Sequence, residues 1–145
     1  MPANHVQLLA ACLAMVLLVL VVGGAMLATR VAEMRRKRIH PQALASSSTM
    51  SAQLENVQVA DNFRNLFEVP VLFYALAAIA LATGHVPDWL VTCAWVFFVL
   101  RVVHSFIHCT YNKVYHRLAV FLASFVLLIV MWVAFFAAVA SRSAA

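Results

Sequence analysis

Charge is what this chain has least of. Only 10% of its 145 residues are Asp, Glu, Lys or Arg, while 66% are hydrophobic; a soluble globular chain is about one quarter charged. A water-soluble fold is thereby excluded, and the chain is expected to be an integral membrane protein. Its length suits one domain and leaves no room for a separate soluble one. Cysteine is also scarce: Cys12, Cys93 and Cys109 lie in apolar stretches, without the paired spacing of a metal knuckle or a redox motif. No internal repeat is evident. No Lys or Arg precedes the first apolar stretch, which also outruns the core of a cleaved signal peptide, so it is expected to remain as a helix.

What the chain does have is long uncharged runs. Val6 to Thr29 and Leu118 to Ser141 each exceed the roughly 20 helical residues that cross a hydrocarbon core, and Trp89 to Asn112 forms another such run. Val69 to Gly84 is too short by itself. A helix that spans and ends at Gly84 must start earlier, which draws Asn65 and Glu68 to or inside the hydrocarbon boundary. The expected fold is all-α, an integral membrane four-helix bundle in one domain over 1–145, with helices at about 6–29, 60–84, 88–112 and 117–141. Pro70 is expected to kink the second helix. A loop at about 31–59 contains Pro41 and the Ser46-Ser47-Ser48 tract, and the tight turn Gly84–Asp88 makes the second and third helices antiparallel neighbours.

The basic residues are distributed unevenly. Arg30, Arg35, Arg36, Lys37, Arg38, Arg64, Lys113 and Arg117 fall at one membrane side, and Arg142 stands alone at the other. The positive-inside rule makes the 31–59 and 113–116 loops cytoplasmic, with both termini outside. The Arg35–Arg38 run reads as that topology signal; contact with anionic lipid headgroups is the alternative. No nucleic-acid partner is expected.

Arg101 falls near the middle of the third apolar run. A charge there costs roughly 2.5–3.5 kcal/mol on insertion scales, and such groups face a bundle interior or a cavity. Measured from the Gly84–Asp88 turn, Glu68 lies about 24 Å down the second helix and Arg101 about 20 Å down the third, so an ion pair between them is the simplest expectation. Each helix carries more than one polar group. Asp61, Arg64, Asn65 and Glu68 recur at helical-face spacing on one, and Arg101, His104, Ser105, His108 and Asn112 on the other. Arg30 and Arg117 close the same end. Four arginines (30, 64, 101, 117) against two acids (61, 68) predict a cationic space suited to carboxylates, with Glu68 free for an ammonium. A salt-bridged bundle without a ligand is the alternative. His104 and His108, at i and i+4, also suit a metal or haem, but no further histidine lies at matching depth and no metalloprotease motif accompanies them, so no metal is expected.

The elements Asp61-Asn-Phe-Arg-Asn-Leu-Phe-Glu68-Val-Pro, Arg101-x-x-His104-x-x-x-His108 and Arg117 resemble the MAPEG family, the membrane-associated proteins of eicosanoid and glutathione metabolism, in its bacterial form. The resemblance covers nearly the whole chain. It implies a homotrimer in the bacterial inner membrane, with glutathione as co-substrate bound between subunits near the cytoplasmic half. Arg64, Asn65, Glu68, Arg101, His104 and His108 would bind the tripeptide, with Arg30 at the same end, and Arg117 would be the catalytic residue beside the sulfur. Glutathione transferase or peroxidase activity on lipophilic small molecules or lipid hydroperoxides is then expected; a non-catalytic protein of the same fold, holding an Arg/Glu network, is the alternative, and a small transporter or channel a further one. Asp61, His108 and Phe121 depart from the residues well-studied members carry, which are an arginine, an aromatic hydroxyl and a tyrosine.

Overall fold

The computed structural model describes residues 1–44, 54–55 and 57–143. Five helices account for most of them: α1 (Ala3–Lys37), α2 (Gln58–Asn65), α3 (Val69–Ala82), α4 (Asp88–Cys109) and α5 (Val114–Ser143), with a single 3-10 turn at Pro41–Leu44. No strand occurs among the described residues. α2 and α3 together form one of four segments long and apolar enough to cross a membrane; the others are α1, α4 and α5. The Ser46–Ser48 tract lies outside the described residues.

Burial follows the logic of a bilayer. The fully enclosed residues include Leu8, Ala11, Met15, Phe73, Ala80, Ala94, Phe97 and Met131, while Leu17, Leu20, Val21, Phe106, Val130, Val133 and Phe136 are exposed. An apolar outside of this extent suits lipid rather than water. Alanines 11, 80 and 94, all 0% exposed, let the helices approach closely, as packing between membrane helices favours. α4 packs against α1, α2 and α5, and α3 against α1 and α5. The Phe73 and Phe97 rings stack between α3 and α4 with centroids 5.0 Å apart. Trp132 on α5 donates its indole N–H to the Leu72 carbonyl at 3.2 Å.

One end of the bundle gathers the N-terminus, the 84–88 turn and the end of α5. Asn4 donates to the Val86 carbonyl at 3.0 Å and to Asp88 Oδ1 at 2.6 Å, and Arg142 donates to His85 Nδ1 at 2.6 Å. Gly84, at φ +68, supplies the left-handed residue with which that turn begins. At the opposite end α1 continues past Arg30 to Lys37, where the sequence reading places a loop from 31. It closes on Arg38 in the left-handed conformation, with Ile39 N–H bonded to the Met34 carbonyl at 3.0 Å. Arg35, Arg36 and Lys37 in its last turn complement the helix dipole. The basic run therefore stabilises a helix end. Buried Glu33 accepts from Lys37 Nζ at 2.9 Å and from the Glu55 amide at 2.7 Å, tying the chain at 54–55 to α1. Glu33→Leu is expected to accelerate hydrogen exchange of the Glu55 amide by about tenfold or more, since the lost bond is charge-assisted.

The second span is broken where the sequence places Pro70. Residues 66–68 form a tight turn in which Phe67 N–H bonds to the Arg64 carbonyl at 2.9 Å and Glu68 N–H to that of Asn65 at 3.4 Å, before α3 starts at Val69. Proline has no N–H for the Leu66 carbonyl and its ring clashes there, but it is well tolerated in a first turn, so the helix restarts around it. α2 is held to α1 at Gly23, where an added Cβ would meet the Phe63 ring at 2.9 Å. Gly23→Leu is expected to destabilise the protein by about 1–3 kcal/mol through overpacking. Gly24, where an added Cβ would meet nothing within 4 Å, serves as the control: Gly24→Ala should leave thermal unfolding in detergent unchanged or slightly raised.

Candidate functional site

The polar stripe of α4 faces inward. Arg101, His104, Ser105 and His108 are all buried, as their i, i+3, i+4, i+7 spacing requires of one helix face. Asn62 on α2, 0% exposed, meets this face: its carbonyl oxygen accepts from Ser105 Oγ at 3.3 Å and its amide lies 3.3 Å from Cys109 Sγ. Sequence reasoning overlooked Asn62 while naming Asp61 and Arg64 on the same helix. The available signal was an uncharged amide beside a polar stripe, matched in register by Ser105.

Arg101 is fully enclosed. Its Nη2 donates to the Asn65 carbonyl at 3.2 Å, so it braces the helix break that Pro70 imposes, and its guanidinium carbon lies 5.9 Å from the centre of the Phe121 ring. Its Nε and Nη1 have no partner among the described residues. The expected ion pair with Glu68 is absent: no carboxylate among the described residues comes within 4.0 Å of Arg101. Similar depth along two helices says nothing about rotation around their axes. The 66–68 turn leaves Glu68 exposed while Arg101 faces the core.

The two histidines are oriented by Arg117 at the start of α5. His104 Nδ1 lies 3.3 Å from the Arg117 carbonyl, an acceptor only, so Nδ1 carries a proton and donates it there. Arg117 Nη1 lies 3.0 Å from His108 Nε2, and a guanidinium only donates, so there Nε2 accepts and Nδ1 is protonated. The same Nη1 donates to Asn112 Oδ1 at 2.8 Å. Asn112 sits at φ 45, in the left-handed region that asparagine tolerates better than most residues. Thus the turn between α4 and α5 holds the arginine in place.

These groups surround a cavity of about 440 Å³, lined by Asp61, Asn65 and Glu68, by His104 and His108, and by Val114, Arg117, Leu118 and Phe121. Five of the sequence-derived candidates, Asn65, Glu68, His104, His108 and Arg117, meet there. Three do not line it. Arg101 lies behind the wall, Arg64 is directed outward with a 71% exposed side chain at 3.9 Å from Asp61, and Arg30 remains half-buried on α1. The expectation of a cationic space is therefore corrected: of the four arginines counted at this end, only Arg117 lines the cavity, together with Asp61 and Glu68. Among the described residues, no three His, Cys, Asp or Glu side chains converge on one point.

The family model of the MAPEG family matches residues 8–137. The chain belongs to the MAPEG family. Comparison with curated proteins and with solved structures finds no significant match. The matched stretch runs through all four spans and includes every residue of the cavity lining. This MAPEG protein is an integral membrane four-helix bundle, from a family associated with glutathione.

Proposed function

We propose that this MAPEG protein binds glutathione in the cavity and uses Arg117 to hold its thiolate for reaction with a lipophilic second substrate. The observation that carries the reading is the fixed guanidinium of Arg117, held by His108 and Asn112, at a cavity lined by both polar and apolar side chains. Asn65, Glu68, His104 and His108 suit a polar tripeptide, whereas Val114, Leu118 and Phe121 suit a lipophilic partner. Arginine does not act as a base, because it is always protonated. It stabilises negative charge on sulfur, and a cation beside a thiol of ordinary pKa about 8.5 raises the thiolate fraction.

In conjugation, the thiol proton leaves to water, the sulfur lone pair forms a bond to the electrophilic carbon, and the leaving group departs with its electron pair. In peroxide reduction, the thiolate attacks the terminal oxygen and the O–O bond breaks. The alcohol leaves after taking a proton, and a second glutathione converts the sulfenic acid to disulfide and water. Arg101 acts as a positioning residue through the Asn65 carbonyl. The proposal includes a homotrimer with its sites between subunits, in the bacterial inner membrane, with the 31–59 and 113–116 loops cytoplasmic. Arg64 and Arg30, outside the cavity lining, would take part only through a neighbouring subunit or a rearrangement on binding. The competing reading of an internal Arg101–Glu68 network without turnover loses support, because that pair is not made within the chain.

Purified protein in lipid nanodiscs, given glutathione with chlorodinitrobenzene in one assay and with a lipid hydroperoxide in another, tests this reading. Product in either assay above the rate of empty nanodiscs is expected. Absence of product in both, with glutathione bound, would leave a binding protein and contradict the catalytic part.

A further inference from the structure

The consecutive basic residues that close α1 divide into two pairs. Lys37 Nζ is held by Glu33 at 2.9 Å and by Glu55 at 3.0 Å, and Arg36 lies 3.6 Å from Glu55. Arg35 and Arg38 are exposed, and neither has a carboxylate within 4.0 Å among the described residues. Helical register gives the reason. Residues 18 positions apart on a helix are about five turns apart and share one azimuth. Buried Glu33 thus continues the line of Met15, which is 0% exposed. Arg35 continues the line of Leu17, and Arg38, at the cap, that of Leu20; these leucines are 53% and 64% exposed on the apolar outside.

Depth agrees with azimuth. Arg35 follows Thr29, the last residue of the first uncharged run, by about 9 Å. Side chains on a helix lean toward its N-terminus, which here is toward the bilayer, so the long arginine stem carries its charge back to the headgroup layer. The two arginines therefore present unpaired positive charge at the membrane surface, on the face of α1 that is apolar above them. A lipid phosphodiester supplies the missing negative charge, and its oxygens match the guanidinium fork. We propose that Arg35 and Arg38 form a docking surface for the headgroup of an anionic phospholipid, whereas Arg36 and Lys37 serve the contact with Glu33 and Glu55.

The test is the lipid selectivity of the full chain reconstituted in phosphatidylcholine vesicles, read by electron spin resonance of trace spin-labelled phosphatidylglycerol or phosphatidylcholine. At low salt wild type is expected to hold the anionic lipid about two- to fivefold more tightly, up to the effect of one basic residue at an anionic surface. High salt should narrow the difference. Arg35→Gln/Arg38→Gln should reduce it to less than about 1.5-fold, whereas Lys37→Gln, which also removes a positive charge, should keep most of it. Arg35→Lys/Arg38→Lys should keep it too, since lysine still offers a point charge to phosphate. No preference in wild type, which is the result if a neighbouring subunit covers the two arginines, overturns the proposal. So does a preference that persists in Arg35→Gln/Arg38→Gln, or one that Lys37→Gln abolishes equally, which would make net charge sufficient. Loss in the lysine variant would trace the effect to a disturbed helix end and overturn it as well.

Discussion

Arg117→Ala is expected to lower the rate of glutathione conjugation by about 10²–10³-fold, the cost of removing one preorganised donor from a developing negative charge. Glutathione affinity should fall far less, because Asn65, Glu68 and the histidines remain. The split matters, as an interaction made chiefly with the thiolate changes turnover more than ground-state binding. Arg117→Lys should recover only part of the rate. A lysine keeps the charge but lacks the planar fork, and with it the geometry that now reaches His108 Nε2 and Asn112 Oδ1 at 3.0 and 2.8 Å. Steady-state kinetics with chlorodinitrobenzene in nanodiscs measure both variants. A variant that keeps most of its rate while losing affinity would move Arg117 from the chemistry to ligand capture.

Arg101→Met is expected to raise the stability of the ligand-free protein and to lower glutathione affinity by about tenfold or more. Methionine approximates the volume of the arginine stem and removes a charge whose Nε and Nη1 have no partner among the described residues. Replacing buried charges by apolar side chains of similar volume is often stabilising by about 1–4 kcal/mol. Against this stands the loss of the bond to the Asn65 carbonyl, worth about 1.5–3 kcal/mol for a charged donor, so the net gain is at most about 2.5 kcal/mol. Affinity falls because the unbraced turn at 66–68 lets the wall bearing Asn65 and Glu68 shift. Thermal unfolding with and without glutathione reads both effects. A lower midpoint in the absence of ligand would instead make Arg101 a net stabiliser of the bundle.

Much of the architecture was legible because the bilayer demands it. Uncharged runs had to be helices, and Pro70 had to interrupt the hydrogen-bond ladder of the second span. The face shared by His104 and His108 followed from helical periodicity. What a linear reading missed was rotation and charge balance. Arg64 sits on the same short helix as Asn65 but is directed outward, and Glu68, in the 66–68 turn, makes no ion pair with Arg101. Counting arginines at one end therefore predicted a cationic space, whereas only Arg117 among them lines the cavity. Asn62 stayed hidden for a different reason. Its role depends on Ser105 and Cys109 across another helix, and no spacing within α2 reveals a partner there. The length of α1 depended on capping at Arg38 and on the Glu33–Lys37 contact, both local to a segment whose charges suggest a loop.

The most direct measurement of the central claim is the ultraviolet difference spectrum of wild type and Arg117→Ala titrated with glutathione near neutral pH. A saturable thiolate band in wild type, absent or much reduced in Arg117→Ala at equal occupancy, is the expected result. Bound glutathione that stays protonated in wild type, or a thiolate band of equal size in both proteins, would contradict it.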